Sequence, residues 1–99
     1  MKCVTVVYPN KEGAKFDFDY YMKKHVPMVA GLLGAKIDVQ KGVSSPMGAS
    51  VEIVCSARIW IDSVEQFQAT MQQHGSTILA DIPRYTDIQP IIQIDEVLS

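Results

Sequence analysis

Residues 51–61 constrain the fold more than any other stretch, because their alternation is that of a long β-strand. Every second residue of the stretch is apolar: Val51, Ile53, Cys55, Ala57, Ile59 and Ile61. The residues between them are mixed: Glu52, Val54, Ser56, Arg58 and Trp60. A strand of this kind buries one face and leaves the other partly polar. We therefore expect a sheet that is covered on one face.

Five further stretches show a regular pattern. Residues 2–8, 35–43 and 88–98 are rich in β-branched residues or alternate in polarity, which predicts strands. Residues 16–31 predict a helix, and Ser63 and Gln66 have the capping-box spacing that begins a second one. His74-Gly75 predicts the end of this second helix, followed by a short helical turn over 77–83. The order β-α-β-β-α-β predicts a ferredoxin-like α+β fold, an antiparallel sheet with both helices on one face. With 99 residues, we expect a single domain over 1–99.

The helix predicted over 16–31 has a clear start and an irregularity. Asp17 suits the N-cap, and Phe16 and Tyr21 have the spacing of a hydrophobic staple. Pro27 has no N–H to donate and disfavours helical geometry at the residue before it, so we expect the helix to bend or loosen next to His25. The predicted buried face consists of Phe18, Tyr21, Met22, His25, Val26 and Val29. His25 is then either a functional group at a helix break or a hydrogen-bonded core histidine.

Composition excludes several classes of function. The net charge of −2 with interleaved signs argues against nucleic-acid binding. No apolar run is long enough to span a bilayer and the N-terminus lacks a signal-peptide pattern, which predicts a cytoplasmic protein without membrane contact. Cys3 and Cys55 lie inside predicted strands, which is typical of core thiols. Neither a metal-ligand spacing nor a cofactor motif is present, so we expect no metal and leave any cofactor unknown.

The second face of the predicted sheet mixes apolar and polar residues: Val54, Trp60, Ile91 and Val97 with Ser56, Arg58 and Gln93. So much apolar area on an open face is typical of an interaction site. The simplest cover is a second copy, which predicts a homodimer with its sheets facing each other. The polar residues then predict an enclosed space that holds water or a small molecule, unless Arg58 and Gln93 simply pair across the interface.

A set of residues spread over nearly the whole chain matches a known protein family: 6–10, Phe16-Asp17, Asp19-Tyr20-Tyr21, His25 with Pro27, 62–67, His74-Gly75, 80–83, 85–88 and 90–94. In these residues the chain resembles the EthD family of dimeric α/β-barrel proteins. Residues 44–56 depart from the pattern, which leaves pocket shape and substrate open. The resemblance implies a ferredoxin-like fold and a homodimer whose paired sheets form a barrel. Short members are often labelled reductases without an obvious cofactor motif, and relatives on the same barrel include cofactor-free oxygenases, isomerases and dehydratases.

Two main functions and a minor one follow. The first is a small-molecule enzyme, such as an oxidoreductase, that acts on an aromatic or carbonyl compound in the barrel. His25 would be its general acid or base, and Tyr21 and Tyr8 would donate hydrogen bonds to substrate. Arg58 would hold a carboxylate or phenolate and Trp60 a flat ring, with Tyr85 as a further substrate contact. The second is a non-catalytic ligand-binding or accessory protein that uses the same cavity. A structural dimer with little ligand specificity is the third.

Overall fold

The computed structural model describes residues 1–99 and contains four strands and two long helices. The strands are β1 (Lys2–Pro9), β2 (Ile37–Lys41), β3 (Ile53–Ile61) and β4 (Ile91–Glu96). The first helix covers residues 18–33, between β1 and β2, and the second is Val64–Asp81, between β3 and β4. The predicted order β-α-β-β-α-β is confirmed, although β2, β3 and β4 are each shorter than their predicted ranges.

The four strands form one antiparallel sheet in the order β2-β3-β1-β4. Val4 of β1 lies opposite Ile59 of β3 and Ile94 of β4, so these side chains share a face. On that face Val4 and Ile59 form a buried cluster with Val29 of the first helix and Ile78 of the second. Both helices therefore cover the same face, as the ferredoxin-like fold requires, and each buried aliphatic side chain there contributes about 1.5–3 kcal/mol.

The first helix changes its winding just before the proline. Asp17 caps it as predicted, accepting a hydrogen bond from the Tyr20 N–H at 3.0 Å. One α-helical turn, Phe18–Tyr20, widens into a π-helical segment, Tyr21–His25, and Val26–Leu33 resumes as α-helix. In an ordinary α-helix the Pro27 ring would collide with a carbonyl of the preceding turn, and the wide turn before it relieves that crowding. The predicted irregularity next to His25 is thus a π segment.

The wide turn also overturns one burial prediction. Met22 was predicted on the buried face, but its side chain is exposed (46%). The angular step between residues is smaller in a π-helix than in an α-helix, so an i, i+3, i+4 pattern no longer gives one continuous face. Tyr21, His25 and Val29 remain buried as predicted.

The second helix is longer than predicted. Ser63 caps it as expected, with its hydroxyl oxygen accepting from the Gln66 N–H at 3.1 Å. The prediction that it ends at His74-Gly75 is wrong: the helix continues without a break to Asp81 and then tightens into a 3₁₀ turn, Ile82–Arg84. Ile78 packs into the core one turn beyond Gly75, and its burial outweighs the cost of about 1 kcal/mol for a helical glycine. This extension delivers Asp81 to the site described below.

Neither helix is both long enough and apolar enough to cross a membrane. No group of three or more His, Cys, Asp or Glu side chains lies close enough together to hold a metal ion.

Candidate functional site

The sheet divides the six predicted site residues into two groups. Tyr8 shares the helix-covered face with its neighbour Cys55 and belongs to a buried cluster with Tyr21 and Tyr85. His25 stacks on this cluster. Arg58 and Trp60 have the opposite parity on β3 and lie on the open face. The expectation of one site containing all six residues, inside a barrel, does not match this geometry, because the sheet separates the two groups.

His25 occupies the last position of the π segment, and its side chain is almost fully buried. Its Nδ1 lies 2.9 Å from Oδ2 of Asp81. The imidazole stacks on the Tyr21 ring, with centroids 5.6 Å apart and an interplanar angle of 18°, and it lies 4.7 Å from the Tyr85 ring. The π segment therefore places Tyr21 and His25 one above the other, and the second helix supplies the partner of one ring nitrogen.

Asp81 is the residue that sequence reasoning missed. Its Oδ2 faces His25, and its Oδ1 accepts a hydrogen bond from the Tyr20 hydroxyl at 2.7 Å and lies 3.7 Å from Nε of Arg84. Burial disfavours the charged carboxylate, but the hydrogen bonds from Tyr20 and His25 outweigh it and hold the pKa of Asp81 below its ordinary value. An acidic residue in the last turn of a helix opposes the macrodipole, and this was the available signal, had the helix end been predicted correctly.

Three tyrosines form the cluster against which the histidine packs. The hydroxyls of Tyr8 and Tyr85 are 2.7 Å apart and hydrogen-bond to each other. Burial raises the pKa of Tyr8, Tyr21 and Tyr85, so each stays a neutral phenol. Burial likewise raises the pKa of the neighbouring Cys55 thiol to about 11, which keeps it protonated at neutral pH. These groups can donate hydrogen bonds, but at neutral pH none of them is a base.

An apolar cavity of about 60 Å³ lies between the helices and the sheet. Of its 18 lining residues 16 are hydrophobic, and the lining includes His25, Tyr8 and Tyr21. The Nε2 atom of His25 has no hydrogen-bond partner in the protein and keeps some accessible surface. Because the ring also lines the cavity, Nε2 is the ring nitrogen available to a molecule bound there. One water needs roughly 10–15 Å³ on this measure, so the cavity has room for a small molecule.

Arg58 and Trp60 belong to a separate polar surface on the open face. The Trp60 indole N–H donates to Oδ2 of Asp38 at 2.7 Å, and an Arg58 N–H makes a long contact of 3.5 Å to the Gln40 side-chain oxygen. Thr5 donates to Asp95 on the same face. Both predicted substrate contacts are thus engaged with neighbouring side chains, away from His25.

Together the fold and the site define a ferredoxin-like α+β protein in which an aspartate-held histidine meets an internal apolar cavity. The EthD domain model matches residues 12–89, and the chain belongs to the EthD family. Its structure is similar to an EthD-like protein of Ralstonia eutropha, with 45% identity, a TM-score of 0.93, and coverage of 99% of this chain and 92% of that one.

Two more distant structures share the fold. An ethyl tert-butyl ether degradation (EthD) family protein of Bacillus halodurans is 23% identical with a TM-score of 0.78, and the match covers 99% of both chains. HapK of Hahella chejuensis is 15% identical with a TM-score of 0.57, covering 96% of this chain and 92% of that one. No functionally curated protein matches the chain.

Proposed function

We propose that this protein is a small-molecule enzyme in which His25 transfers a proton to and from a compound bound in the cavity between the helices and the sheet. The observation that carries the proposal is the position of the imidazole: Asp81 engages Nδ1, and the ring lines an apolar cavity with Nε2 left unpaired. Histidine is the side chain most often used for general acid–base catalysis, and a fixed ring aimed into a pocket meets the geometric requirement for it.

The proposed step is a proton shift within one substrate. A C–H bond next to a carbonyl, or an O–H bond of an enol, breaks as its proton joins Nε2, and the electron pair remains on the substrate as an enolate. The proton then returns to a different atom of the same substrate, so no oxidant or reductant is needed. Tyr21 lines the same cavity and keeps its proton, which makes it the proposed hydrogen-bond donor to the enolate oxygen.

The lining favours an uncharged substrate. The cavity contains no lysine or arginine. Arg84 lies beside Asp81, and Arg58 is on the far side of the sheet. A carboxylate in this cavity would be buried without a counter-ion, which is costly. The proposal therefore takes a neutral aromatic or carbonyl compound as substrate and leaves out Arg58 as a carboxylate ligand.

A ligand-binding protein without turnover is the second candidate, and the strongly hydrophobic lining favours it. Sixteen apolar residues of 18 provide affinity for a hydrophobic molecule whether or not a reaction follows. An oxidoreductase, which the family resemblance implies, would use the same proton-transfer step beside an electron carrier.

We also propose that the open face of the sheet packs against the same face of a second copy. Ile91 is 55% exposed there, on the edge strand β4, and the half-buried Val7 and Trp60 add apolar area to the same face. Arg58 shares this face with Asp38 and Asp95. A two-fold axis can place charges of opposite sign against each other when both signs occur on one surface.

Ligand binding by wild type, His25→Ala and His74→Ala tests the main proposal. His74 is the only other histidine and lies outside the cavity, so it provides a matched control. Thermal shifts are measured with phenols, cyclic ketones and unsaturated lactones at one protein concentration, followed by turnover assays on each compound that binds. We expect a ligand that is converted by wild type and His74→Ala, and bound but not converted by His25→Ala.

The outcomes separate the candidates. Binding without turnover in wild type favours the ligand-binding protein. If His25→Ala retains full turnover, the proposal is wrong. A His25→Ala protein that melts well below wild type while no compound binds either protein assigns the histidine a structural role.

A further inference from the structure

We propose that Asp81, with Tyr20, is a positioning pair that fixes the tautomer of the neutral form of His25, with the proton on Nδ1, so that Nε2 presents a lone pair to the cavity. The ligand group that hydrogen-bonds to this nitrogen is then a donor, such as the O–H of a phenol or an enol, rather than a carbonyl or ether oxygen. The ligand class rests on the proposed function, whereas the position of the proton does not.

The first step concerns the proton between His25 and Asp81. Oδ2 of Asp81 lies 2.9 Å from Nδ1, a normal hydrogen-bond distance. The pKa of this carboxyl group is lowered, because its hydrogen bonds outweigh the effect of burial, so it is ionised at neutral pH. An ionised carboxylate can only accept hydrogen bonds, and therefore Nδ1 must donate.

The second step concerns the cavity side of the ring. A neutral imidazole carries one proton, so a proton on Nδ1 leaves an unprotonated acceptor at Nε2. The cavity lining is almost wholly apolar and gives Nε2 no hydrogen-bond partner from the protein. A ligand O–H group satisfies this acceptor, whereas a carbonyl or ether oxygen placed at Nε2 sets two acceptors against each other and leaves both unpaired.

The third step explains why Tyr20 belongs to the pair. The Tyr20 hydroxyl donates to Oδ1 of Asp81 at 2.7 Å, and the Arg84 Nε lies 3.7 Å from the same oxygen. Because the arginine side chain can only donate hydrogen bonds, the side-chain atom of residue 81 that faces Tyr20 and Arg84 should be an oxygen. An asparagine at position 81 is therefore expected to keep its amide oxygen toward Tyr20 and Arg84 and to turn its NH₂ group toward Nδ1.

Asp81→Asn should consequently reverse the tautomer. Its NH₂ group requires an acceptor at Nδ1, which moves the imidazole proton to Nε2. In the double variant Tyr20→Phe/Asp81→Asn the hydroxyl is gone, the amide can turn over, and the reversal should be partly undone. A role for Asp81 in packing alone does not predict either change.

The tautomer is read directly from ¹⁵N chemical shifts of histidine-labelled protein, at a pH where a free histidine is neutral. His25 is assigned by the loss of its signals in His25→Ala. We expect an unprotonated Nε2 and a protonated Nδ1 in wild type, and the reverse in Asp81→Asn. A wild-type imidazole that is protonated on Nε2, alone or together with Nδ1, overturns the proposal. The signals that remain in His74→Ala give the same assignment, so the wild-type spectrum decides this point even if the His25 and Asp81 variants do not fold.

The ligand class is tested with phenol and its methyl ether anisole, which differ by the O–H group. By NMR titration we expect wild type to bind phenol roughly fivefold more tightly, the equivalent of one hydrogen bond, and Asp81→Asn to lose that preference. If wild type binds anisole and phenol with equal affinity, or binds neither compound, the proposed ligand class is wrong. Protein that shows the expected tautomer and the phenol preference, but converts no compound, supports this inference and contradicts the enzyme proposal.

Discussion

At the scale of single residues, the site is a buried polar network supported by aromatic rings. The Tyr20 hydroxyl, the Asp81 carboxylate and the His25 imidazole are joined by two short hydrogen bonds, and the Tyr8 and Tyr85 hydroxyls by a third. In a low-dielectric environment such bonds are strong, and the loss of one partner leaves the other unsatisfied. A network of this kind holds the imidazole in one orientation.

The Asp81 carboxyl group should make stability depend on acid pH. Its folded-state pKa lies below the unfolded value, so its stabilising contribution is complete above the unfolded pKa of about 4 and is lost as pH falls through the folded value. Urea unfolding between pH 7 and pH 3 should show a decline in wild type that is shallower in Asp81→Asn. At neutral pH we expect the variant to be less stable by about 1–3 kcal/mol.

The matched control for this measurement is Glu12→Gln, a change of the same kind at an exposed loop position. Its unfolding free energy should follow that of wild type at every pH. If the curves of wild type and Asp81→Asn run parallel down to pH 3, the hydrogen bonds to Asp81 do not stabilise the folded state.

At the scale of elements, the sequence predicted local features well and the site only in part. The caps at Asp17 and Ser63 and the irregularity before Pro27 were predictable, because each depends on residues within one or two turns. The role of Asp81 was not predictable from the sequence, because Gly75 resembles a helix end. Only the packing of Ile78 against the sheet shows that the helix continues to Asp81. Which face of the sheet His25 approaches also depends on long-range packing, so Arg58 and Trp60 were grouped with it.

The end of the first helix provides a test with two glycines. Gly34 has φ +60° at the C-cap, whereas Gly31 lies inside the helix, and a Cβ at either position meets nothing within 4 Å. Space for a side chain is therefore available at both positions, and only the backbone conformation differs between them. Gly34→Ala should destabilise the protein by about 1 kcal/mol, because alanine disfavours the left-handed region. Gly31→Ala should stabilise it by about 0.4–1 kcal/mol.

Thermal or urea unfolding of the two variants measures both values. Effects of the same sign would contradict the assignment of Gly34 as the left-handed cap, and Gly34→Asn should recover part of the loss because asparagine tolerates that conformation.

At the scale of the whole molecule, the two faces of the sheet have different roles in this account. The helix-covered face contains the cavity and His25, while the open face carries the exposed Ile91 and both signs of charge. Ligand chemistry and self-association are thus assigned to opposite sides of one sheet. A change on the open face should alter assembly without reaching the cavity directly.

Sedimentation equilibrium of Ile91→Glu tests the proposed homodimer. Ile91 is already 55% exposed in the single chain, so the new charge should not disturb the chain's own core. We expect a dimer mass for wild type and for Met47→Glu, which adds the same charge to a loop residue that is 90% exposed. Ile91→Glu should be monomeric at the same concentration. A monomeric wild type at high protein concentration would contradict the proposal.

The central claim is that a neutral ligand binds between the helices and the sheet, against His25. The most direct measurement is a phenol titration of protein labelled on its Val and Ile methyl groups. We expect methyl signals of Val29, Ile59 and Ile78 to shift with saturation, while those of Val7 and Ile91 on the open face do not. Shifts confined to Val7 and Ile91 would place the ligand on the other side of the sheet and contradict binding against His25.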